Sequence, residues 1–172
     1  MGLGMALPAE LTDQERQRIL AAAGRLEHVC LQRQLGVWRV APVLDTGPIS
    51  QSLHSLTWTQ AATRWSTVTP ILLDRFPKEK QEGRRAVEVI VTSCERIEVP
   101  RPISVEYGPY SAWKGVPPVP QFRLLRRPED RPRWAVHATL TFKDPVRGPL
   151  LLGAGRYFGM GLMRPHLTES AL

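Results

Sequence analysis

The sequence predicts an α+β protein built around an antiparallel sheet. Three observations lead to this prediction: a capping-box helix start at residues 12–15, an amphipathic helical pattern over residues 79–97, and an alternating strand over residues 133–142. At 172 residues, of which 42% are hydrophobic, the chain is long enough to form one domain or two small ones.

The first third of the chain has the pattern of half of a small α+β unit. The capping box is followed by apolar residues at helical spacing, which predicts a helix over residues 13–28. His28 then falls at the helix end, where we expect it to contact the last carbonyl groups rather than to take part in chemistry. Residues 37–44 predict a strand and residues 45–48 a turn.

The middle of the chain predicts a helix flanked by strands. Residues 65–75 are rich in β-branched side chains and predict a buried strand, in which Pro70 indicates an edge position or a bulge. The apolar spacing over residues 79–97 predicts the helix. Two short strands, separated by a proline-rich loop, are predicted at residues 103–107 and 121–126.

The strand predicted at residues 133–142 has the clearest pattern of all. Its alternation places Val136 and Ala138 on the core side and His137 on the polar face. Loss of the His137 side chain is therefore expected to cost little stability.

The order strand, helix, strand, strand, strand over residues 64–142 resembles a ferredoxin-like (RRM-type) unit. A sheet with helices on one face leaves its other face free for a partner, and RRM-type modules commonly hold RNA there. The aromatic RNP sequence of those modules is absent here, so we expect RNA to bind through the glycine-rich loop and the arginines rather than by stacking on the sheet. The predicted division is a partial amino-terminal α+β unit at 1–63, a ferredoxin-like domain with a glycine-rich loop at 64–165, and a tail at 166–172.

The segment DPVRGPLLLGAGRYFGMGLMRP, residues 144–165, is rich in glycine. Interior glycines destabilise helices and strands by about 0.5–1 kcal/mol each relative to alanine, so we expect the backbone itself to have a role. Successive N–H groups in such a loop can form a concavity for phosphate oxygens, and Arg156 adds a planar fork of donors. The spacing matches neither a P-loop nor a dinucleotide fingerprint. The alternative is a tight glycine turn that closes the last strand onto a neighbour.

The positive charge is concentrated in the carboxy-terminal part. Residues 101–172 hold 11 Lys and Arg against 5 Asp and Glu, whereas residues 1–100 hold 12 against 11. This asymmetry predicts an electrostatic footprint for a nucleic acid. Five arginines crowd into residues 123–133, where a charged hairpin could follow an RNA backbone; a solvated surface turn is the alternative.

No pattern in the sequence is typical of a metal site, a cofactor site or a membrane segment. Cys30 and Cys94 lie outside any metal-binding spacing, and no apolar run reaches the roughly 18 residues of a membrane span. The amino terminus lacks the basic and apolar regions of a signal peptide. We expect a cytoplasmic protein without a cofactor, a metal ion or a membrane partner.

Histidines are the candidate acid–base residues of the chain, because a side chain with a pKa near 6.5 can accept or donate a proton near neutral pH. His137 is the first candidate because it lies on the polar strand face, close in sequence to the glycine-rich segment; a structural role is the alternative. His54, in a loop, is the second. His166 falls in the tail, for which disorder is expected.

A strand ending in an aromatic residue, followed by PVRGP, an apolar run and GAGRYFGMGL, resembles the carboxy-terminal signature of the CRISPR-associated RAMP superfamily. Its members are repeat-RNA-processing endoribonucleases and their relatives. The chain is most similar to the type I-G (formerly I-U) subgroup, in which backbone-capping and repeat-processing subunits are fused. Four other stretches fit that subgroup in the same order: GLGMALP, the helix start near Glu15, RWSTVTPILLDRFPK and VHATLTF.

The resemblance implies a RAMP domain that binds CRISPR repeat RNA and takes part in its metal-independent cleavage, which leaves 2′,3′-cyclic phosphate and 5′-hydroxyl ends. It places the family's usual catalytic histidine ahead of GLGMALP, which resembles an internal strand. The implied partners are the repeat RNA and other subunits of a type I interference complex. A non-catalytic RNA-holding or assembly subunit and a protein-interaction module are the alternatives. The candidate RNA-binding residues are Gly153, Gly155, Arg156, Tyr157, Gly159, Gly161, Arg123, Arg126, Arg127, Arg133, Lys143 and Arg147.

Overall fold

A computed structural model describes Met5, Leu7 and residues 10–32, 36–42, 51–73, 82–122 and 134–167. The chain divides into two units, Met1–His54 and Ser55–Leu172. The prediction of an α+β protein with an antiparallel sheet is confirmed.

Among its described residues, the first unit has one α-helix, one strand pair and a 3-10 turn at Gln51–Leu53. Helix α1 spans Asp13–Ala23 and has the predicted capping box: the backbone N–H of Thr12 donates to Glu15 Oε2 (2.9 Å), and the N–H of Glu15 donates to Thr12 Oγ1 (3.3 Å). Strands β1 (His28–Gln32) and β2 (Gly36–Arg39) pair antiparallel.

The predicted end of the first helix was wrong by about one turn. Gly24 terminates α1, and the chain enters β1 at His28, which lies opposite Arg39. His28 is therefore a strand residue and does not contact the carbonyl end of a helix. Strand β2 ends at Arg39, before the predicted boundary, and the predicted turn at residues 45–48 lies outside the described residues.

The second unit is built on an antiparallel sheet. After the short helix α2 (Leu56–Thr59), its strands are β3 (Ala62–Thr67), β4 (Ile71–Leu72), β5 (Ser104–Gly108), β6 (Ala135–Val146) and β7 (Met163–Pro165). Strand β6 is central, with β5 along one edge and both β3 and β4 along the other. Strand β7 pairs with the outer edge of β3.

Strands β3 and β4 lie end to end along the same edge of β6, and Pro70 lies between them. Ser66 lies opposite Thr139 and Ile71 opposite Val136, so the register against β6 shifts across residues 68–70. Proline has no N–H to donate to a ladder, and the predicted irregularity is confirmed. The predicted strand over residues 65–75 is thus two shorter strands, and its last residues lie outside the described part of the chain.

Helix α3 (Glu82–Glu95) connects β4 to β5 and covers one face of the sheet. Its buried side chains Ala86, Ile90 and Cys94 join the core formed by residues such as Trp65 and Leu140. Burial raises the pKa of the Cys94 thiol to about 12, so this cysteine is an inert core residue.

The proline-rich loop over residues 109–122 reaches the opposite face of the sheet. Ser111 Oγ donates to the Thr67 carbonyl (2.5 Å), and Trp113 Nε1 donates to the Ser66 carbonyl (3.2 Å). A 3-10 turn at Val119–Gln121 follows. Gln121 therefore does not begin a strand as predicted, and residues 123–126 lie outside the described residues.

Candidate nucleic-acid interface

The glycine-rich segment forms hydrogen bonds with Pro70, between β3 and β4, and with β4 itself. Gly161 N–H donates to the Pro70 carbonyl (2.8 Å), and Ala154 N–H donates to the Leu72 carbonyl (2.9 Å). Strand β7 pairs only with Trp65–Thr67, so beyond Thr67 the outer edge offers carbonyls to the glycine-rich segment. A further bond, from Gly153 N–H to Ser93 Oγ (2.7 Å), ties the segment to α3.

Most backbone donors of this segment are therefore used within the protein. The N–H groups of residues 152–154 and 158–163 all have protein acceptors. The expected concavity of free N–H groups is wrong at those positions, and the alternative of a closing turn describes them better. Gly153 and Gly161 have φ of 84° and 72°, and a Cβ on either would overlap a backbone carbonyl oxygen.

The tip of the segment remains open to solvent. A 3-10 turn at Arg156–Phe158 exposes Tyr157 (81%) and Phe158 (76%). The Arg156 guanidinium donates to the Tyr157 hydroxyl (3.1 Å) and lies 4.7 Å from the centre of its ring. This cation and two exposed aromatic rings form a surface on which a base and a phosphate could both be contacted.

The second surface is the sheet face opposite α3, here called the helix-free face. Strand partners place their side chains on the same face, so the register defines its members. They are almost all polar, in contrast to the core face, and comprise Arg64, Ser66, Ser104, Glu106, Thr139, Thr141, Arg164 and, after β7, His166.

His137 lies at the covered end of this face, and its expected exposure was wrong. Only 1% of the residue is exposed, because the 109–122 loop lies over it. Its Nε2–H donates to the Pro117 carbonyl (3.1 Å), and its Nδ1 accepts from the Thr67 hydroxyl (2.9 Å). Phe122 packs edge-on against the ring.

Both ring nitrogens of His137 are occupied by protein partners. Burial lowers the pKa of His137, and the bond to Pro117 opposes this only in part, so the ring is held neutral. This geometry is that of a structural histidine.

His166 occupies the open side of the same face. Its N–H donates to the Arg64 carbonyl (2.8 Å), and its Nε2 lies 2.7 Å from Ser66 Oγ, which in turn lies 2.7 Å from Thr139 Oγ1. The ring stacks on Trp113, with centroids 4.3 Å apart. The expected disorder is wrong at this residue, because β7 and the loop hold it in place.

Two arginines surround His166. The Arg164 guanidinium lies 4.7 Å from the Trp113 ring centre. Burial lowers the pKa of His166, and the charges of Arg64 and Arg164 lower it further. At neutral pH the ring is uncharged and lies in a positive electrostatic field.

The other sequence-predicted candidates are dispersed. Lys143 on β6 and Arg147 just after it are exposed, whereas Arg123, Arg126, Arg127 and Arg133 lie outside the described residues. His54 belongs to the first unit, where it is half-buried and its N–H donates to Gln51 (3.2 Å). His137, the other candidate, belongs to the second unit.

The sequence reasoning missed Arg64, Ser66, Trp113 and Arg164, and set His166 aside. Alternation of Arg64 and Ser66 around the buried Trp65 was a signal for two of them. Nothing local in the sequence indicated that residues 64–66 and 164–166 would pair.

Within the described ranges, no group of three or more His, Cys, Asp or Glu side chains could hold a metal ion, and no helix is long and apolar enough to cross a membrane. Comparison of the chain with protein-family models, with curated proteins and with solved structures yielded no match.

Proposed function

We propose that this chain is a RAMP-type domain that binds CRISPR repeat RNA. In this proposal it takes part in the metal-independent processing of that RNA in a type I interference system. The resemblance of the sequence to that superfamily motivates the proposal. The observation that carries it is the sheet of the second unit, whose helix-free face is polar and bears two arginines beside a histidine.

The sheet topology supports a ferredoxin-like assignment. From one edge to the other the strands run β5, β6, β3 with β4, and β7, all antiparallel. Helix α3 connects β4, which continues β3, to β5, and β6 lies between these strands in the sheet. The first helix of the split β-α-β arrangement makes the same connection. The glycine-rich segment occupies the position of the second helix, between β6 and β7.

The charge distribution supports an anionic partner. In the second unit, Lys143 and Arg147 are exposed and Arg156 is half-buried beside the exposed Tyr157. Arg64 and Arg164 lie on the helix-free face. Basic side chains on one domain provide the salt-dependent part of RNA affinity, while exposed rings such as Tyr157 offer stacking surfaces for unpaired bases.

A non-catalytic RNA-holding subunit is the second candidate function. It is favoured by the burial of His137, whose ring nitrogens both have protein partners and cannot reach a 2′-hydroxyl without rearrangement. In that case the chain holds the repeat RNA or assembles with other subunits of the complex.

Incubation of the purified protein with an end-labelled repeat RNA in EDTA separates the candidates. Cleavage to a 2′,3′-cyclic phosphate product supports processing, and a stable complex without cleavage supports the holding function. The absence of both would contradict RNA binding and leave the protein-interaction module. A single-stranded DNA of the same sequence is the control, because it lacks the 2′-hydroxyl.

A further inference from the structure

Arg64 and Arg164 project from adjacent strands onto the helix-free face. Arg164 lies directly opposite Ser66 in the β3–β7 ladder, and the His166 N–H bond to Arg64 continues that ladder by two residues. Arg64 and Arg164 are therefore diagonal neighbours, roughly 7–8 Å apart at their backbones, a separation that two arginine side chains readily span. In the structure Arg64 extends across β6 to Glu106 on β5, so its exposed guanidinium turns towards β7 when both arginines bind one anion.

Neither guanidinium is neutralised by a strong ion pair. Arg64 contacts Glu106 only at 3.9 Å, between side chains that are 50% and 68% exposed, where solvent screens the attraction. Among the described carboxylates, none lies within ion-pair distance of Arg164. Arg164 Cζ lies over the Trp113 ring, 4.7 Å from its centre, and a guanidinium in this position keeps N–H donors for a further acceptor.

His166 supplies a third polar group at the same place. Its Nε2 is held by Ser66 Oγ, and no described residue bonds its Nδ1. Ser66 is fully buried and is itself bonded to Thr139, so the ring has a fixed anchor. Burial lowers the pKa of His166, and the charges of Arg64 and Arg164 lower it further.

We propose that Arg64, Arg164 and His166 form a binding site for one backbone phosphate of single-stranded RNA on the helix-free face, distinct from the Arg156–Phe158 tip of the glycine-rich segment, to which Arg164 also belongs. The site rests on the RNA binding proposed above. A phosphate there would accept from both guanidinium forks, and its charge would offset the repulsion between them. Trp113, already stacked by His166, orients the site instead of stacking on a base.

The test compares the RNA affinities of Arg64→Ala and Arg164→Ala with that of Arg101→Ala. Arg101 is an exposed arginine of the same unit that pairs with Glu95 (3.7 Å) and lies outside the helix-free face, so it controls for net charge. We expect each of the first two variants to bind labelled single-stranded repeat RNA about 10- to 100-fold more weakly, as for loss of a charge-assisted hydrogen bond. Arg101→Ala should stay within about twofold.

The salt dependence separates a phosphate contact from a folding effect. Removal of one contact should lower the slope of log affinity against log salt by about 0.7, which a merely destabilised protein would not show. Circular dichroism checks the fold of each variant; Arg64→Ala, which leaves the Trp113 stack intact, keeps the test valid if Arg164→Ala unfolds.

The outcomes are distinct for this site and for RNA binding in general. If the wild type binds RNA tightly and both variants keep its affinity and its salt slope, the proposed site is overturned and RNA binding stands. No binding by the wild type would overturn both. The proposal would also be contradicted if the wild type bound inorganic phosphate at this face while its affinity for RNA did not depend on Arg64 or Arg164.

Discussion

His166 Nε2 lies 2.7 Å from Ser66 Oγ, although the two residues are 100 positions apart in the chain. This bond forms because β7 pairs with β3 and carries the chain end onto the helix-free face. It brings a histidine, two arginines and a tryptophan together on the helix-free face.

His137→Ala should destabilise the protein by about 2–4 kcal/mol. The substitution leaves a cavity and removes the partners of the Thr67 hydroxyl and the Pro117 carbonyl. Urea unfolding measures the loss, with the exposed Lys143→Ala as a control that should stay within about 0.5 kcal/mol. A His137→Ala protein as stable as the wild type would show that the loop does not hold the ring in solution.

Stability should fall as the pH decreases from about 7 to about 5. The folded-state pKa values of His137 and His166 are lowered, so the unfolded chain binds protons first and acid favours unfolding. Urea midpoints at several pH values measure this, and His166→Gln should make the dependence weaker. A midpoint that is constant over this range would contradict the neutral, partly buried state of these rings.

Gly161→Ala should cost at least about 2 kcal/mol more stability than Gly159→Ala. Both positions have positive φ, 72° and 74°, and pay a similar backbone cost. Only at Gly161 would the new Cβ overlap the Leu152 carbonyl oxygen, whereas Gly159 faces open space. Thermal unfolding of the two variants measures the difference, and equal effects would argue against the close approach at Gly161.

Arg156→Ala should weaken RNA binding by about 1–3 kcal/mol if the exposed tip contacts a phosphate, and Arg156→Lys should recover only part. Stability should not change, since the Arg156 side chain bonds only the neighbouring Tyr157 among the described residues. Fluorescence anisotropy with labelled RNA gives the affinity. A variant with normal affinity and a lower melting temperature would assign Arg156 a structural role.

The sequence was sufficient where the signal is local. The capping box at Thr12 and Glu15 predicted the start of α1, and Pro70 predicted an irregular strand. Apolar spacing predicted α3, and alternation predicted β6.

The errors arise where distant segments meet. The alternation of the strand places His137 on the polar face. Residues 135–140 are nevertheless all buried, because the 109–122 loop covers this end of the helix-free face. No local pattern shows which loop will cover a strand. His166 was set aside because it is near the chain end, and only the β3–β7 pairing places it beside Ser66.

The salt dependence of repeat-RNA affinity tests the central claim most directly. Anisotropy titrations of the wild type with labelled repeat RNA at about 50 mM and about 200 mM salt should show a loss of at least about tenfold, the effect of three or more phosphate contacts on a single strand. Absence of binding at the lower salt concentration, or an affinity that is equal at both, would contradict the account.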